Sequence, residues 1–320
     1  MFDIVGLGEL LVDFTTQGKS AQGNPIYEAN PGGAPYNVLA AASKLGRKTA
    51  FIGKVGNDDF GRMLKKDIEG RGINSDSLYL TDEFFTSLAF VTLDEKGNRS
   101  FSFARKPGAD TRLEPDEVNE ELIKSAGIFH CGTLSMTDEP ARSASLKALK
   151  TAKRNGVLVS CDPNIRLSLW KNPEQARDTM MKVLDYGDII KISEDELEFL
   201  YGSGDTEKNA KRLINEYYPK LIFITCGAAG AYAVNKNAMC WHPSFTNLPV
   251  LDTTGAGDCF CGAALSELLK LESIDEAGEM ELFGILRYAS AAAGLCCTRY
   301  GGAGAVPDEA EICALLMKGL

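Results

Sequence analysis

The chain has 320 residues, of which 44% are hydrophobic and 24% are charged, so it can bury one large core. Its net charge of −10 argues against nucleic acid and against an anionic membrane surface as the main partner. From Met1 onward there is no basic segment, cleavage site or apolar run of spanning length, so we expect a cytoplasmic protein.

Short β-branched runs alternate along the chain with segments of helical periodicity. The runs are DIVGLG, TAFIGKVG, GIFHCG, GVLVSCD, GDIIKIS and LIFITCG. Strands separated by helices predict a mostly parallel sheet with helices on both faces. Pro35 and Gly46 bracket one predicted helix, and Asp138 and Gly156 bracket another. We therefore predict a single α/β domain over residues 1–320.

Two segments interrupt this alternation, at residues from about 10 to 30 and at residues 84–106. The second segment contains the runs TSLAFVTLDE and NRSFSFARK around a Lys96-Gly97 turn, which is typical of an antiparallel hairpin. Strands inserted into a parallel α/β core predict a small β-strand lid over the edge that carries the active site.

The cysteines and histidines do not predict a metal site. The nine cysteines contain no Cys-x-x-Cys pair and lie mostly in apolar segments, so we expect reduced, buried thiols. His130 and His242 are the only histidines, and neither has a partner at ligand spacing.

The most informative stretch is LDTTGAGDCFCGAALSELLKL, at residues 251–271. Gly255, Ala256 and Gly257 expose backbone N–H groups at the start of a predicted helix, where the helix dipole favours an anion. Asp258 follows them, and a phosphate would repel this carboxylate unless it holds or deprotonates the hydroxyl that attacks the phosphate. A tight glycine turn followed by an ordinary N-terminal helix carboxylate remains an alternative on this stretch alone.

A second stretch, NPGGAPYNVLAAASKLG, suggests a site for neutral hydroxyls. Gly32 and Gly33 allow a backbone to approach a ligand closely, and Asn37, one turn into the helix, offers a donor and an acceptor. A glycine turn before a helix with a solvent-facing asparagine explains the same residues. Asp13, near the end of the first strand region, likewise has both a structural and a functional explanation. The P-loop fingerprint is absent, so the predicted anion site is of another kind. The dinucleotide fingerprint is also absent, which argues against a dehydrogenase.

Together these stretches resemble the PfkB or ribokinase-like family of carbohydrate kinases, and within it the fructokinases. The resemblance covers nearly the whole chain. It rests on eight motifs in the family's order: GELLVDF, NPGGAPYNVLAAASKLG, GKVGNDDFGRMLKKDIEGRGI, DPNIRLSLW, KISEDELEFLYG, ITCGAAGAY, DTTGAGDCFCGAAL and AAAGLCCTRYGGAGAVP. It implies a ribokinase-like fold and the use of ATP with Mg²⁺.

The resemblance also implies a role for each candidate residue. Asp258 matches the catalytic base, and the amides of Gly255, Ala256 and Gly257 match the anion hole for the transferred phosphoryl group. The remaining matches are Asp13, Gly32, Gly33, Asn37, Phe90, Arg105 and Arg166 for the sugar, and Asn164, Thr225, Gly227, Gly230 and Ala293 for ATP.

The expected cations depend on the resemblance as well. Glu196 matches the glutamate of an Asn-x-x-Glu motif that organises the water shell of Mg²⁺, but Ser193 replaces the asparagine and is not counted as a metal-shell residue. Asp252 and the carbonyls near Thr254 and residues 296–305 match a monovalent cation site, for which K⁺ is the expected ion. A homodimer formed through the lid is a further expectation.

We therefore interpret the chain as an ATP-dependent sugar kinase that phosphorylates a primary hydroxyl, with O6 of fructose as the expected acceptor. Another acceptor within the family is the first alternative, above all 2-keto-3-deoxygluconate, whose carboxylate Arg105 and Arg166 could clamp. A non-catalytic sensor of sugar or nucleotide is the second. The pairing of Asp258 with the glycine run argues against a sensor.

Overall fold

The computed structural model describes residues 1–93 and 99–318, and the predicted Lys96-Gly97 turn lies outside them. The strands in the described part are β1 Phe2–Leu7, β2 Leu11–Lys19, β3 Pro25–Gly32, β4 Thr49–Gly56, β5 Asn74–Thr81, β6 Leu88–Leu93, β7 Arg99–Ala104, β8 Ala126–Cys131, β9 Leu158–Cys161, β10 Ile189–Ser193, β11 Leu221–Thr225, β12 Ala231–Val234 and β13 Met239–His242. The α-helices are α1 Ala34–Lys44, α2 Asp59–Gly70, α3 Glu120–Lys124, α4 Ala141–Arg154, α5 Pro173–Leu184, α6 Glu194–Tyr201, α7 Thr206–Tyr217, α8 Ala256–Leu268, α9 Glu279–Cys296 and α10 Glu309–Met317.

Nine strands form one large sheet in the order β13-β12-β11-β10-β9-β8-β1-β4-β5. The strands from β11 to β5 pair in parallel, and β12 and β13 add an antiparallel edge. The six β-branched runs all lie on parallel strands, so the predicted mostly parallel α/β sheet is confirmed. The sequence analysis did not identify β5, β12 or β13, of which β5 and β13 are edge strands.

Helices cover both faces of this sheet. One core contains Leu39 of α1, Phe260 of α8 and Leu286 of α9. The core on the opposite face contains Leu149 of α4 and Val183 of α5. Since every residue of β4 is buried between such layers, its sequence is mostly apolar with little alternation, and the buried Lys54 within it pairs with Glu117.

Both bracketed helices are present. Pro35 lies in the first turn of α1, which ends two residues before Gly46. The other helix, α4, begins at Ala141, which is three residues after the expected boundary at Asp138, because Pro140 occupies the N-cap position. It ends two residues before Gly156.

A separate four-stranded sheet has the order β3-β2-β6-β7. The β2–β3 and β6–β7 pairs are antiparallel, whereas β2 and β6 pair in parallel, with Asp13 opposite Ala89. These strands lie at the two segments that interrupt the α/β alternation, apart from Pro31 and Gly32 at the end of β3. The small sheet contributes Asp13 and Phe103 to a cavity at the carboxyl ends of the large-sheet strands.

Two further observations concern membranes and thiols. Within the described ranges, no helix combines the length and apolar character needed to cross a bilayer. The nine cysteines are all free thiols, and most of them are buried.

Candidate active site

A cavity of about 700 Å³ lies between the small sheet and the ends of β1, β9, β10 and β11. Parallel strands place their carboxyl ends at one edge of a sheet, which is where ligands of α/β proteins bind. The predicted residues that line this cavity are Asp13, Gly33, Asn37, Asn164, Arg166, Glu196, Thr225, Gly227, Thr254, Gly255, Gly257 and Asp258.

The start of α8 faces the centre of the cavity. Asp258 is buried on the first turn of this helix, and the amide nitrogen Nδ2 of Asn37 donates to its Oδ2 atom at 2.8 Å. Burial raises the pKa of Asp258, while the bond from Asn37 and the charges of Lys191 and Arg166 oppose this rise. The carboxylate is therefore oriented by Asn37 and held close to two cations.

Backbone amides and a buried cation surround the helix start. The first amides of a helix lack an intrahelical acceptor, and here the Ala256 amide donates weakly to the Thr253 carbonyl at 3.3 Å. The ammonium group of Lys191 lies beside Gly257, since a Cβ built on that glycine would be 3.1 Å from Nζ. An anion docked at this point would face both the helix dipole and the charge of Lys191.

Lys191 is a site residue that was not predicted from the sequence. Its ammonium pairs with Asp162 at 3.0 Å. Burial alone would lower the pKa of Lys191, but Asp162, Glu196 and Asp258 raise it above its ordinary value, so the side chain stays charged. The available signal was a lysine inside the apolar run GDIIKIS, because a charged residue in a buried strand needs an ionic partner.

Two carboxylates line the other end of the cavity. Asp13 extends from β2, and Gly32 of the neighbouring strand β3, which pairs with Leu11, leaves the room that the carboxylate occupies. Glu9, which the sequence analysis also did not identify, is 2% exposed and accepts a hydrogen bond at 2.8 Å from the Ala34 amide, the first of α1. Burial raises the pKa of Glu9 to about 7 and that of Asp13 to about 7, and the Asp258 charge adds to the rise at Asp13.

Phe90 does not line the cavity. Side chains alternate between the faces of a strand, and Asp13, Ala89 and Phe103 are paired across the small sheet. Phe103 lines the cavity, whereas Phe90 stacks on Phe14 on the opposite face, with ring centroids 5.2 Å apart. The register of the sheet therefore places Phe103 at the site in the position expected for Phe90.

Arg105 lies behind the cavity wall. Its guanidinium is almost fully buried and donates to Asp110 at 2.7 Å and, at 2.9 Å, to the Thr137 hydroxyl and to the carbonyl of Leu134, which itself lines the cavity. Arg166, by contrast, lines the cavity. The two arginines that resemble a carboxylate clamp in the sequence therefore occupy different environments.

A second pocket of about 370 Å³ continues from the first, and Thr225, Gly227 and Gly257 line both. Its remaining wall is mostly apolar. The residues of that wall include Gly230, Phe245, Leu248, Ala256, Phe260, Ala293 and Gly294. The polar cavity therefore leads directly into an apolar slot, and the helix start lies at their junction.

Glu196 is buried at the edge of the polar cavity. Its Oε1 atom accepts a bond from the Ile165 amide at 2.7 Å, and its Oε2 atom accepts bonds from the Ser193 amide and hydroxyl at 2.9 and 3.0 Å. Glu194 and Asp195 line the cavity beside it. Among residues 1–93 and 99–318, no group of three or more His, Cys, Asp or Glu side chains is arranged to bind a metal ion directly.

Asp252 lies outside the cavity wall. Its Oδ1 atom accepts a bond from the Thr254 amide at 2.8 Å, and its Oδ2 atom accepts one from the Gly301 amide at 3.0 Å. The carboxylate therefore joins the loop before α8 to the segment after α9. Asn164, with a positive φ of 45°, lies in the cavity wall with Ile165 and Arg166.

Known proteins resemble this chain over nearly its full length. The family model for pfkB family carbohydrate kinases matches residues 1–309. A probable fructokinase-3 of Arabidopsis thaliana is 42% identical over 319 residues, covering 98% of this chain and 91% of that protein. The crystal structure of a Xylella fastidiosa fructokinase with bound ATP has a TM-score of 0.90 at 30% identity, covering 99% of this chain and 98% of that one. A Vibrio cholerae O395 fructokinase double mutant with bound fructose, ADP and potassium ion has a TM-score of 0.88 at 31% identity, covering 98% of each chain.

Proposed function

The chain belongs to the pfkB family of carbohydrate kinases, and we propose that it phosphorylates D-fructose with ATP to give fructose 6-phosphate and ADP. The observation that carries the proposal is the position of Asp258. Its carboxylate lines the polar cavity, bonded to Asn37 at 2.8 Å, and the preceding residue, Gly257, lines both this cavity and the apolar slot. A sugar in the cavity and a nucleotide in the slot would meet beside Asp258.

In the proposed reaction, Asp258 accepts the proton of the sugar O6 hydroxyl as that oxygen attacks the γ-phosphorus of ATP. A new P–O bond forms to the sugar while the bond to the β-phosphate oxygen breaks, and ADP leaves. The amides of Gly255, Ala256 and Gly257 and the nearby Lys191 ammonium stabilise the negative charge on the transferred group. Lys191 and Arg166 also favour the ionised form of Asp258, against the rise in its pKa that burial causes.

The sugar binds at the end of the cavity that contains Asp13, Gly33 and Asn37. Carboxylate and amide groups there accept from and donate to neutral hydroxyls, and Arg166 adds donors. Arg105 and Phe90 are left out of the proposed sugar site because their side chains lie outside the cavity wall.

ATP occupies the junction and the apolar slot. The adenine packs near Ala293, and the phosphates pass Thr225, Gly227 and Gly230 toward Asn164 and the helix start. The apolar lining of the slot suits a flat heteroaromatic ring, which gains affinity chiefly from buried area.

Mg²⁺ fits the acidic edge of the cavity. Glu196 has both carboxylate oxygens fixed by protein donors, and Glu194 and Asp195 lie beside it, so these residues would hold the ion through its water shell. When bound, Mg²⁺ would neutralise charge on the ATP phosphates. We also propose a K⁺ site at Asp252 and the Thr254 carbonyl, a location that follows from the family resemblance; the Vibrio cholerae structure contains a potassium ion.

The same proposal covers the organisation of the protein. Residues 1–320 form one kinase domain, and the strands within residues 10–30 and 84–106 form a lid that closes on the sugar. The lid face opposite the cavity carries Phe14, Tyr27 and Phe90, an aromatic group that suits a homodimer contact. The acidic charge and free thiols suit a cytoplasmic location.

A competition assay tests the function. Purified protein is supplied with limiting ATP, Mg²⁺ and equal amounts of fructose and 2-keto-3-deoxygluconate, and the phosphorylated products are separated by charge. We expect fructose to have at least about a tenfold higher kcat/KM, which is about 1.4 kcal/mol in transition-state binding. If phosphorylated 2-keto-3-deoxygluconate is the main product, the chain is a kinase whose acceptor is the acid and not fructose. Binding of sugar or ATP without any phosphorylated product would indicate a sensor.

A further inference from the structure

The sugar end of the cavity contains carboxylates and only one of the two arginines that the sequence suggested. Glu9 and Asp13 lie in the wall with Arg166, and the nearby Arg105 is 4% exposed behind it. A sugar acid entering this end would bring its negative charge toward two acidic side chains, which offer it no opposite charge in either protonation state and repel it when ionised. Its acceptance therefore depends on whether the charge of Arg105 is available.

Asp110 pairs with the Arg105 guanidinium and holds its charge away from the cavity. One of its oxygens accepts from Nε of Arg105 at 2.7 Å and pairs with Nη2 at 2.7 Å, while the other accepts from the Ser87 hydroxyl. Both partners of the pair are nearly inaccessible, with side-chain exposures of 2% and 0%. Turning the guanidinium into the cavity would leave a buried carboxylate without its cation, which is strongly unfavourable.

The charges at the sugar end therefore do not balance in favour of an acid. Asp110 cancels the Arg105 charge, so an acid would meet Arg166 beside the Glu9 and Asp13 carboxyl groups. These two groups are partly ionised near neutral pH because burial raises both pKa values to about 7. Interactions between like charges are strong where burial lowers the local dielectric response. Discrimination of this kind acts through repulsion of the wrong ligand as well as attraction of the right one.

We propose that Asp110 is a specificity-determining residue, which restricts the enzyme to uncharged sugars by holding Arg105 behind the wall and neutralising it. The inference rests on the proposed kinase function, because the preference is expressed as a rate of phosphoryl transfer. Asp110 acts through Arg105 and does not contact the sugar.

The test is the Asp110→Asn variant, which removes the charge with little change in volume. We expect the ratio of kcat/KM for 2-keto-3-deoxygluconate over that for fructose to rise at least about tenfold, through a lower KM for the acid. Purely structural damage would lower both rates and leave the ratio unchanged, and this result would overturn the proposal.

Asp67→Asn is the matched control. Asp67 also accepts from an arginine Nε, that of Arg71 at 2.8 Å, and from a hydroxyl, that of Tyr36, but it lies outside the cavity. The same loss of charge at this position should leave the sugar ratio within about twofold of wild type. A shift as large as that of Asp110→Asn would overturn the proposal.

The double variant Arg105→Met/Asp110→Asn removes the whole pair and decides the question if Asp110→Asn does not fold. Loss of both charges is often tolerated at buried ion pairs. We expect its sugar ratio and its fructose KM to stay within about threefold of wild type. A tenfold rise in the fructose KM would show that Arg105 contacts the sugar and would overturn the proposal.

Failure of this inference is separable from failure of the proposed function. Absence of fructose phosphorylation by the wild-type protein would contradict the function itself. Wild-type activity on fructose with an unchanged ratio in Asp110→Asn would overturn only the role of Asp110.

Discussion

The two ends of the cleft differ in how their residues are held. At the sugar end, Asp13, Asn37, Arg166 and Asp258 come from four separate elements and interact through hydrogen bonds and charges. At the nucleotide end, an apolar slot forms from residues between 225 and 297. Apolar contacts are nondirectional, whereas a buried charge needs a partner in a defined position. Changes at the sugar end should therefore affect chemistry and specificity, and changes at the nucleotide end mainly affinity.

The largest expected effect comes from Asp258→Asn, which removes the proposed base at the sugar end. Asparagine keeps the size of the side chain but cannot accept the hydroxyl proton. We expect kcat to fall roughly 10²–10⁴-fold. ATP affinity, measured by calorimetry, should stay within about threefold of wild type, because the apolar slot is untouched. Turnover above a tenth of the wild-type rate would exclude Asp258 as the base.

A matched pair of glycine substitutions separates the two ends. Gly33 lines the sugar end and Gly230 the nucleotide end, and both have φ of 119° with a backbone carbonyl where a Cβ would lie, from Glu9 and His242 respectively. An alanine at such a position is strained by about 1–3 kcal/mol. Gly33→Ala should raise the KM for fructose about tenfold, and Gly230→Ala should raise the KM for ATP to a similar extent. Equal changes of both KM values in either variant would contradict the separation.

The smallest expected effect is on stability, and it tests the protonation of Glu9 at the sugar end. Burial holds the pKa of Glu9 at about 7, above that of an unfolded glutamate near 4.3. The folded state therefore binds this proton more tightly, and the stability associated with it is complete below the unfolded pKa and is lost as pH rises to about 7. Glu9→Gln should remove this loss.

Urea unfolding of the ligand-free protein at pH 5 and pH 7.5 measures the difference. Between these values the wild type should lose about 1 kcal/mol or more of unfolding free energy relative to Glu9→Gln. The exposed Glu272→Gln variant serves as the control and should follow the wild type. Parallel curves for wild type and Glu9→Gln would indicate that Glu9 is ionised throughout the range.

The sequence alone determined the features that depend on neighbouring residues. Six β-branched runs identified parallel strands, and the order of small residues before Asp258 identified a helix start suited to an anion. Strand propensity, helix capping and the helix dipole are local properties, so they can be deduced from a short segment. The family motifs extended this local information to half of the residues that line the cavity.

The tertiary structure decided what depends on distant partners. Asn37 and Asp258 are 221 residues apart and form a hydrogen bond because α1 and α8 pack together. The register of the small sheet placed Phe103 in the wall and turned Phe90 away, since a shift of one residue reverses the faces of a strand. Arg105 pairs with Asp110, five residues along the chain, but its guanidinium is also held behind the wall by the Thr137 hydroxyl and the Leu134 carbonyl, 32 and 29 residues away.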